Sequence, residues 1–212
     1  MPRPKKSEPQ MFETRQQILD ASFAILLENG PEGISLRPIA ARLGITHMAL
    51  FTYFSGQSAI LQALVERELA RLQTRLAPFV ERARRLEPNG VLREALYFFA
   101  VFARENPALY RLLWLAPFEV RPSSNSSRVS LEPVLHPLAQ IIEAGIERGA
   151  FEARGPSLAA GVVFGMVNAP LMLFYGGRLE SAGLCDRLVA EALDAAQRYL
   201  KRDASFIKGK WN

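Results

Sequence analysis

The residues best suited to chemistry crowd into one short segment. Between Gly44 and Phe54 stand Thr46, His47, Met48, Ala49, Thr52 and Tyr53: short hydroxyls, one imidazole, one phenol and small or flexible apolar groups. That mix suits recognition better than bond-making. Thr46 can cap a helix and meet a phosphate. His47 can bond to a base edge or a phosphate, or simply face solvent. Met48 and Ala49 can touch a thymine methyl, and Thr52 shares their side of a helix. The Tyr53 hydroxyl can reach a phosphate, or its ring can pack between neighbouring helices. Upstream, Ser35 can cap a helix, and Arg37 and Arg42 can clamp a phosphate backbone or equally serve as solubilising charges. Arg42 has a second reading as one half of an internal ion pair.

Catalytic chemistry finds less to work with. His47 and His136 are the only histidines and Cys185 is the only cysteine, so neither a metal-ligand spacing nor an intramolecular disulfide is spelled out. There is no glycine loop to cradle a phosphate, no nucleophile elbow and no His/Asp/Glu constellation. The expectation is a protein that is not an enzyme, with no cofactor and no metal.

The recognition residues need a scaffold, and apolar spacing supplies one. Thr14 to Asn29 reads as a helix capped by Thr14, with Ile18, Leu19, Ala21, Ser22, Phe23, Leu26 and Leu27 forming its apolar stripe. Gly30 and Pro31 stop it. Ser35 opens a second helix to about Leu43, with Pro38 in the first turn, where a missing N–H costs least. Gly44 turns the chain, and Thr46 opens a third, short helix to about Tyr53 that buries Leu50 and Phe54. Two short helices joined by a tight glycine turn are the geometry that lays the second helix in a DNA major groove. Ser55 and Gly56 break the chain, and a fourth helix starts at Gln57 and runs beyond Arg71, with Pro78 as a candidate bend.

The rest is helical as well: Leu92 to Glu105, Pro107 to about Leu115, Leu131 to Arg148, about Pro156 to Tyr175, and Leu184 to Lys201. Residues 117 to 130 read as a long polar loop. The fold class is therefore all-α. A three-helix helix-turn-helix DNA-binding head with an N-terminal arm occupies residues 1–56, and a larger helical bundle occupies 57–212.

Charge agrees with a nucleic-acid partner without requiring one. The 212-residue chain carries a formal net charge of +5. Its tip holds Arg3, Lys5 and Lys6 between prolines, a short arm able to follow phosphates or enter a groove, or to stay a solvated tail. The opening residues are polar rather than signal-like. The oily segment from Leu158 to Tyr175 is interrupted by Asn168 and Pro170 and falls short of a clean membrane span. The expected setting is the cytoplasm, away from any membrane.

A family resemblance adds to this reading. Thr14–Arg15–Gln16–Gln17–Ile18–Leu19–Asp20–Ala21–Ser22–Phe23 with Glu28–Asn29–Gly30 resembles the first helix of the tetracycline-repressor (TetR) family. Ser35 to Ile45 resembles its second helix and turn, and Thr46 to Phe54 its recognition helix. The segment departs from the family pattern at Met48, where glycine or alanine is usual, at Phe51, where tyrosine is favoured and a hydroxyl is lost, at Thr52, where another aromatic is frequent, and at Pro38, where an acidic residue is common. Gln57 stands in place of a common lysine, which reduces a charged phosphate contact to a neutral one.

The resemblance implies a double-stranded DNA partner, a homodimer on a palindromic operator, and an inducer pocket in the body. Repression is the commoner mode in the family. The implied dimer surface is Val162, Val163 and Met166, with Gly161 and Gly165 for close approach, against Leu188, Val189, Ala192, Leu193 and Ala196; the alternative is that both helices bury in a monomer's own core. The implied pocket draws on Phe98, Phe102, Tyr110, Trp114, Phe118, Phe164, Met172 and Tyr175, with Asn168 as a polar group, and suits a small lipophilic or aromatic ligand. Ordinary core packing is the plain alternative for each. A helical adaptor without sequence-specific DNA binding is the rival to the whole reading.

Overall fold

Residues 7–115, 130–152 and 154–201 are described by the computed structural model. Arg3, Lys5 and Lys6 of the basic arm, residues 117–129 of the expected loop, and Phe118 lie outside the described residues. Among the described residues the regular structure is helical: α1 (Glu8–Asn29), α2 (Leu36–Leu43), α3 (His47–Leu50), α4 (Gln57–Ala83), α5 (Pro88–Glu105), α6 (Pro107–Trp114), α7 (Glu132–Glu147), α8 (Pro156–Tyr175) and α9 (Ala182–Leu200). A single 3-10 turn, Pro31–Gly33, follows α1.

Three helices begin or end three or more residues from the expected positions, each for a local reason. α1 starts at Glu8 rather than Thr14. The Ser7 backbone N–H donates to Gln10 Oε1 at 3.0 Å, half of a capping box, and Pro9 sits in the first turn. Thr14 lies inside the helix, and its hydroxyl donates to the Gln10 carbonyl at 2.8 Å. α5 starts at Pro88 rather than Leu92, because the Glu87 carboxylate accepts from the N–H groups of Asn89 (2.9 Å) and Gly90 (2.6 Å). α3 is one turn long, and the chain reaches Tyr53 in tight turns, with Phe51, Thr52 and Tyr53 N–H groups bonding three residues back. α4 continues through Pro78, which lies exposed, so water can serve the carbonyl that lacks its helical donor.

The chain divides into two compact units, Met1–Glu68 with Ala108–Val129, and Leu69–Pro107 with Ser130–Asn212. The division falls inside α4 rather than at its start. In the first unit α1 packs on α2, and α2 on α3. Ile18, Ile25, Leu26, Ile34, Ile39, Leu50, Ile60 and Leu64 are all but fully buried there. Each such burial contributes about 1.5–3 kcal/mol. Ile25 takes the inward place expected of Leu27, which is 54% exposed. The helical turn of about 100° per residue puts Ile25 in line with Ile18, Ala21 and Ser22 and swings Leu27 out. Arg67 holds α4 to α1 by an ion pair to Asp20 (2.7 Å) and a bond to the Leu19 carbonyl (3.3 Å).

In the second unit α8 packs on α7 and α9, and α5 packs on α7, α8 and α9. Leu92, Leu96, Phe99, Ile141, Ile142, Val163 and Ala196 form its core. The Arg148 guanidinium donates to the Ala83 and Leu86 carbonyls, serving the otherwise open C-terminal end of α4. α8 is long and apolar enough, by length and mean hydropathy alone, to match a membrane span despite Asn168 and Pro170, a property that buried core helices share; 44% of its apolar window is buried.

Candidate nucleic-acid interface

The interface is built on the turn between α2 and α3. Gly44 adopts a left-handed conformation (φ 65°, ψ 28°). Its N–H reaches the Ala41 carbonyl at 3.2 Å, and the Ile45 N–H reaches that of Ala40 at 3.1 Å, which closes α2. Nothing lies within 4 Å of where a Gly44 Cβ would stand, so the backbone conformation rather than crowding calls for glycine. The Thr46 hydroxyl then accepts from the Ala49 N–H at 3.3 Å and caps α3.

Leu50 anchors α3 in the core, which turns its neighbours outward. His47, Met48 (63% exposed) and Thr52 share an exposed surface with Thr46 and Phe51, and Ala49 is half-buried beside them. Arg37 is exposed on α2, and Ser35 is half-buried at its N-cap. Most of the expected reading residues on or beside α3 are thus exposed. Two candidates sit differently. Tyr53 is only 9% exposed, the packed alternative of its two readings. Gln57 is exposed, yet its Nε2 donates to the Ile34 carbonyl at 2.9 Å and ties the start of α4 to the strand of chain entering α2.

Arg42 forms the internal ion pair. Its Nη1 and Nη2 reach Glu28 Oε2 and Oε1 at 2.8 and 2.5 Å, joining α2 to α1. The hydrogen bonds from Arg42 hold the Glu28 carboxyl below the usual range, and those to Glu28 raise the guanidinium. The sequence reading passed over Arg15. Its guanidinium lies 4.1 Å from the centre of the Phe54 ring, and its Nη1 donates to the Tyr53 carbonyl. Nothing in the spacing marks it, because both partners lie beyond α3 in an irregular turn.

The expected dimer residues part into two sets. Val163, Val189, Leu193 and Ala196 are buried in the second unit's own core. Val162, Met166 and Ala192 are half-buried and Leu188 is exposed. The exposed apolar residues of α8 are instead Leu158 (74% exposed), Gly165, Ala169, Met172 and Leu173, with half-buried Gly161 and Val162 between them on the same side. Their steps of three and four are one helix face, a signal present in the sequence and followed only in part.

The expected pocket residues also divide. In the second unit Phe98 lies 5.7 Å from Phe99 and 6.4 Å from Phe102, and Phe99 meets Phe164 edge-on at 5.1 Å. Asn168 is buried, Tyr175 half-buried, and Met172 exposed. Burial pushes the Tyr175 hydroxyl up. In the first unit Tyr110 and Trp114 stack at 5.0 Å. A groove of about 520 Å³ in the second unit is lined by Tyr97, Ala100, Val189 and Leu193 together with Arg93, Arg104, Glu94 and Asp186; it takes in none of the expected pocket residues. Among the described residues no group of three or more His, Cys, Asp or Glu is placed to hold a metal.

Comparison with known proteins agrees with the geometry. Residues 18–64 match the bacterial regulatory proteins of the tetR family. A nucleoid occlusion factor, SlmA, of Haemophilus ducreyi (strain 35000HP / ATCC 700724) is 31% identical over 113 residues, 52% of each chain. The chain therefore spans about half the length of the curated relatives it matches. Among solved structures, RolR in complex with resorcinol superposes with a TM-score of 0.70 at 18% identity, covering 94% of this chain and 93% of that one. A TetR-family transcriptional regulator from Pectobacterium atrosepticum gives 0.68 at 18% identity, covering 92% and 96%. At such identities these two likenesses concern the fold. Residues 18–64 thus match the tetR-family model, and the chain has the fold of the solved structures it superposes on.

Proposed function

We propose that the chain is a transcriptional repressor that binds a palindromic operator as a homodimer and is released by a small lipophilic or aromatic ligand. The observation that carries DNA reading is the open surface of Thr46, His47, Met48 and Thr52 on a capped α3, held by buried Leu50 behind the Gly44 turn. Arg37 beside it, and Arg3, Lys5 and Lys6 of the arm, serve phosphates in this reading. The buried Tyr53 and the engaged Gln57 amide act as supports for the reading helix rather than as contacts.

The homodimer is supported by α8. A face of Leu158, Gly161, Val162, Gly165, Ala169, Met172 and Leu173 is too apolar to be left to water, and its glycines permit close approach. In this reading exposed Leu188 and half-buried Ala192 of α9 add to it, whereas Val163, Val189, Leu193 and Ala196 are buried within each protomer. Two-fold symmetry then matches a palindrome. The ligand reading is supported by the aromatic cluster around Phe98, Phe99, Phe102 and Phe164 and by the aromatic ligand in RolR. A ligand changes DNA affinity only if it binds the DNA-competent and DNA-incompetent forms unequally.

Selection of duplexes from a random library by the full chain, followed by anisotropy titration of the enriched duplex, tests the reading. A palindromic motif bound by two protomers is the expected result. Equal affinity for the enriched duplex and a shuffled one would leave the adaptor reading in its place.

A further inference from the structure

We infer that Arg15 is the positioning residue that fixes the angle of the reading helix, so that the selectivity of DNA binding depends on a side chain of α1 that acts through Tyr53 and Phe54. The inference rests on the DNA-reading function proposed above.

The argument begins with how little holds α3. It is four residues long, so one turn of hydrogen bonds is all it has of its own. Its N-terminal end is fixed twice, by the Gly44 turn and by the Thr46 cap. Its inner side is fixed by Leu50. The far end is different. After Leu50 the chain winds through tight turns to Tyr53 and Phe54, and the Phe54 N–H still bonds to the Leu50 carbonyl at 3.0 Å. Whatever anchors Tyr53 and Phe54 therefore sets the tilt of the reading face about Leu50.

Arg15 reaches that end in two ways. One nitrogen of its guanidinium donates to the Tyr53 carbonyl, a peptide oxygen past the last regular turn. The guanidinium carbon stands over the Phe54 ring, 4.1 Å from its centre, and that side chain is itself buried. A planar fork can do both at once, and a lysine ammonium, a compact point charge, cannot reproduce the pair. Arg15 continues the core stripe of α1 by one turn, ahead of Ile18, Leu19 and Ser22, but is itself exposed, so its removal opens no enclosed cavity.

A guanidinium near a DNA-facing segment has a competing role as a phosphate contact. The two roles leave different traces. Losing a phosphate contact weakens binding to all sequences alike and lowers the salt slope by about one. Losing a positioner misaligns His47, Met48 and Thr52, lowers the preference for the selected duplex over a shuffled one, and leaves the salt slope where it was.

The test compares full-length wild type, Arg15→Met and Arg15→Lys on two duplexes. One is enriched from a random library by the wild type, and the other has the same composition shuffled. Affinities are taken across a salt series, with circular dichroism confirming that all three proteins are folded at the assay temperature. Arg15→Met is expected to lose about tenfold in the selected-to-shuffled ratio, the scale of one charge-assisted hydrogen bond, with an unchanged slope. Arg15→Lys keeps the charge and is expected to recover little of that ratio. An unchanged ratio in Arg15→Met overturns the inference, and so does a uniform loss with a reduced slope that lysine restores. A wild type that enriches no motif overturns the DNA-reading proposal itself, a result distinct from either.

Discussion

At the residue scale the reading face rests on few side chains, and His47 is the most polar of them. It is exposed and immediately follows the cap of α3. Replacing it with alanine is expected to change which base is preferred at one symmetric pair of operator positions. The loss there is about 1–3 kcal/mol of discrimination, with the salt slope retained. Selection repeated with the variant reads this directly; an identical motif would place His47 outside the readout. Cys185 makes the opposite case. Its thiol is buried and lies 3.6 Å from the Pro170 carbonyl. Burial pushes its pKa up, so the nucleophilic thiolate is scarcer than for a free cysteine. A thiol reagent at neutral pH is expected to label Cys185 at the rate of protein opening, in native buffer far more slowly than in denaturant.

At the element scale two glycines separate conformation from space. Gly44→Ala meets no atom but must hold φ near 65°, so it is expected to cost about 1–2 kcal/mol, and Gly44→Asn less, because asparagine tolerates the left-handed region. Gly145 in α7 has an ordinary helical backbone, but a Cβ there would stand 2.1 Å from the Phe151 ring. Gly145→Ala is expected to cost about 1–3 kcal/mol through repacking. Asparagine at 145 would worsen it, the reverse of its effect at 44. Denaturation midpoints with an unchanged slope would measure both pairs. Of these, the Gly44 role was legible in the sequence, since a glycine between two short amphipathic runs has a local explanation. Gly145 was not, because its reason is Phe151, on the far side of a turn. The same contrast runs through the helix ends. Ser35 and Thr46 announced α2 and α3, but the Ser7–Gln10 box and the Glu87 cap lay outside the apolar periodicity and moved the starts of α1 and α5. Arg15 and the Gln57 bond to Ile34 were illegible for that reason too: each joins residues distant in sequence through a backbone carbonyl.

At the scale of the whole molecule the account joins two claims, a symmetric partner and a DNA site. The apolar face of α8 bears on the first. Gly165 is exposed and a Cβ there would meet nothing, so Gly165→Glu is expected to fold at least as well as wild type, with a gain in helix propensity. The same change puts a charge in the middle of the proposed interface. Sedimentation should therefore show a shift from dimer toward monomer alongside an unchanged or higher melting point. A dimer that tolerates glutamate there would move the interface elsewhere. The second claim is the central one, and a single titration addresses it most directly: anisotropy of a labelled duplex, enriched by the full chain from a random library, against its shuffled counterpart over a range of salt. The account predicts two protomers on a palindrome, at least a thousandfold preference (~10³) for the enriched duplex, and affinity that falls steeply as salt rises. Equal binding to both duplexes, or none to either, would contradict it.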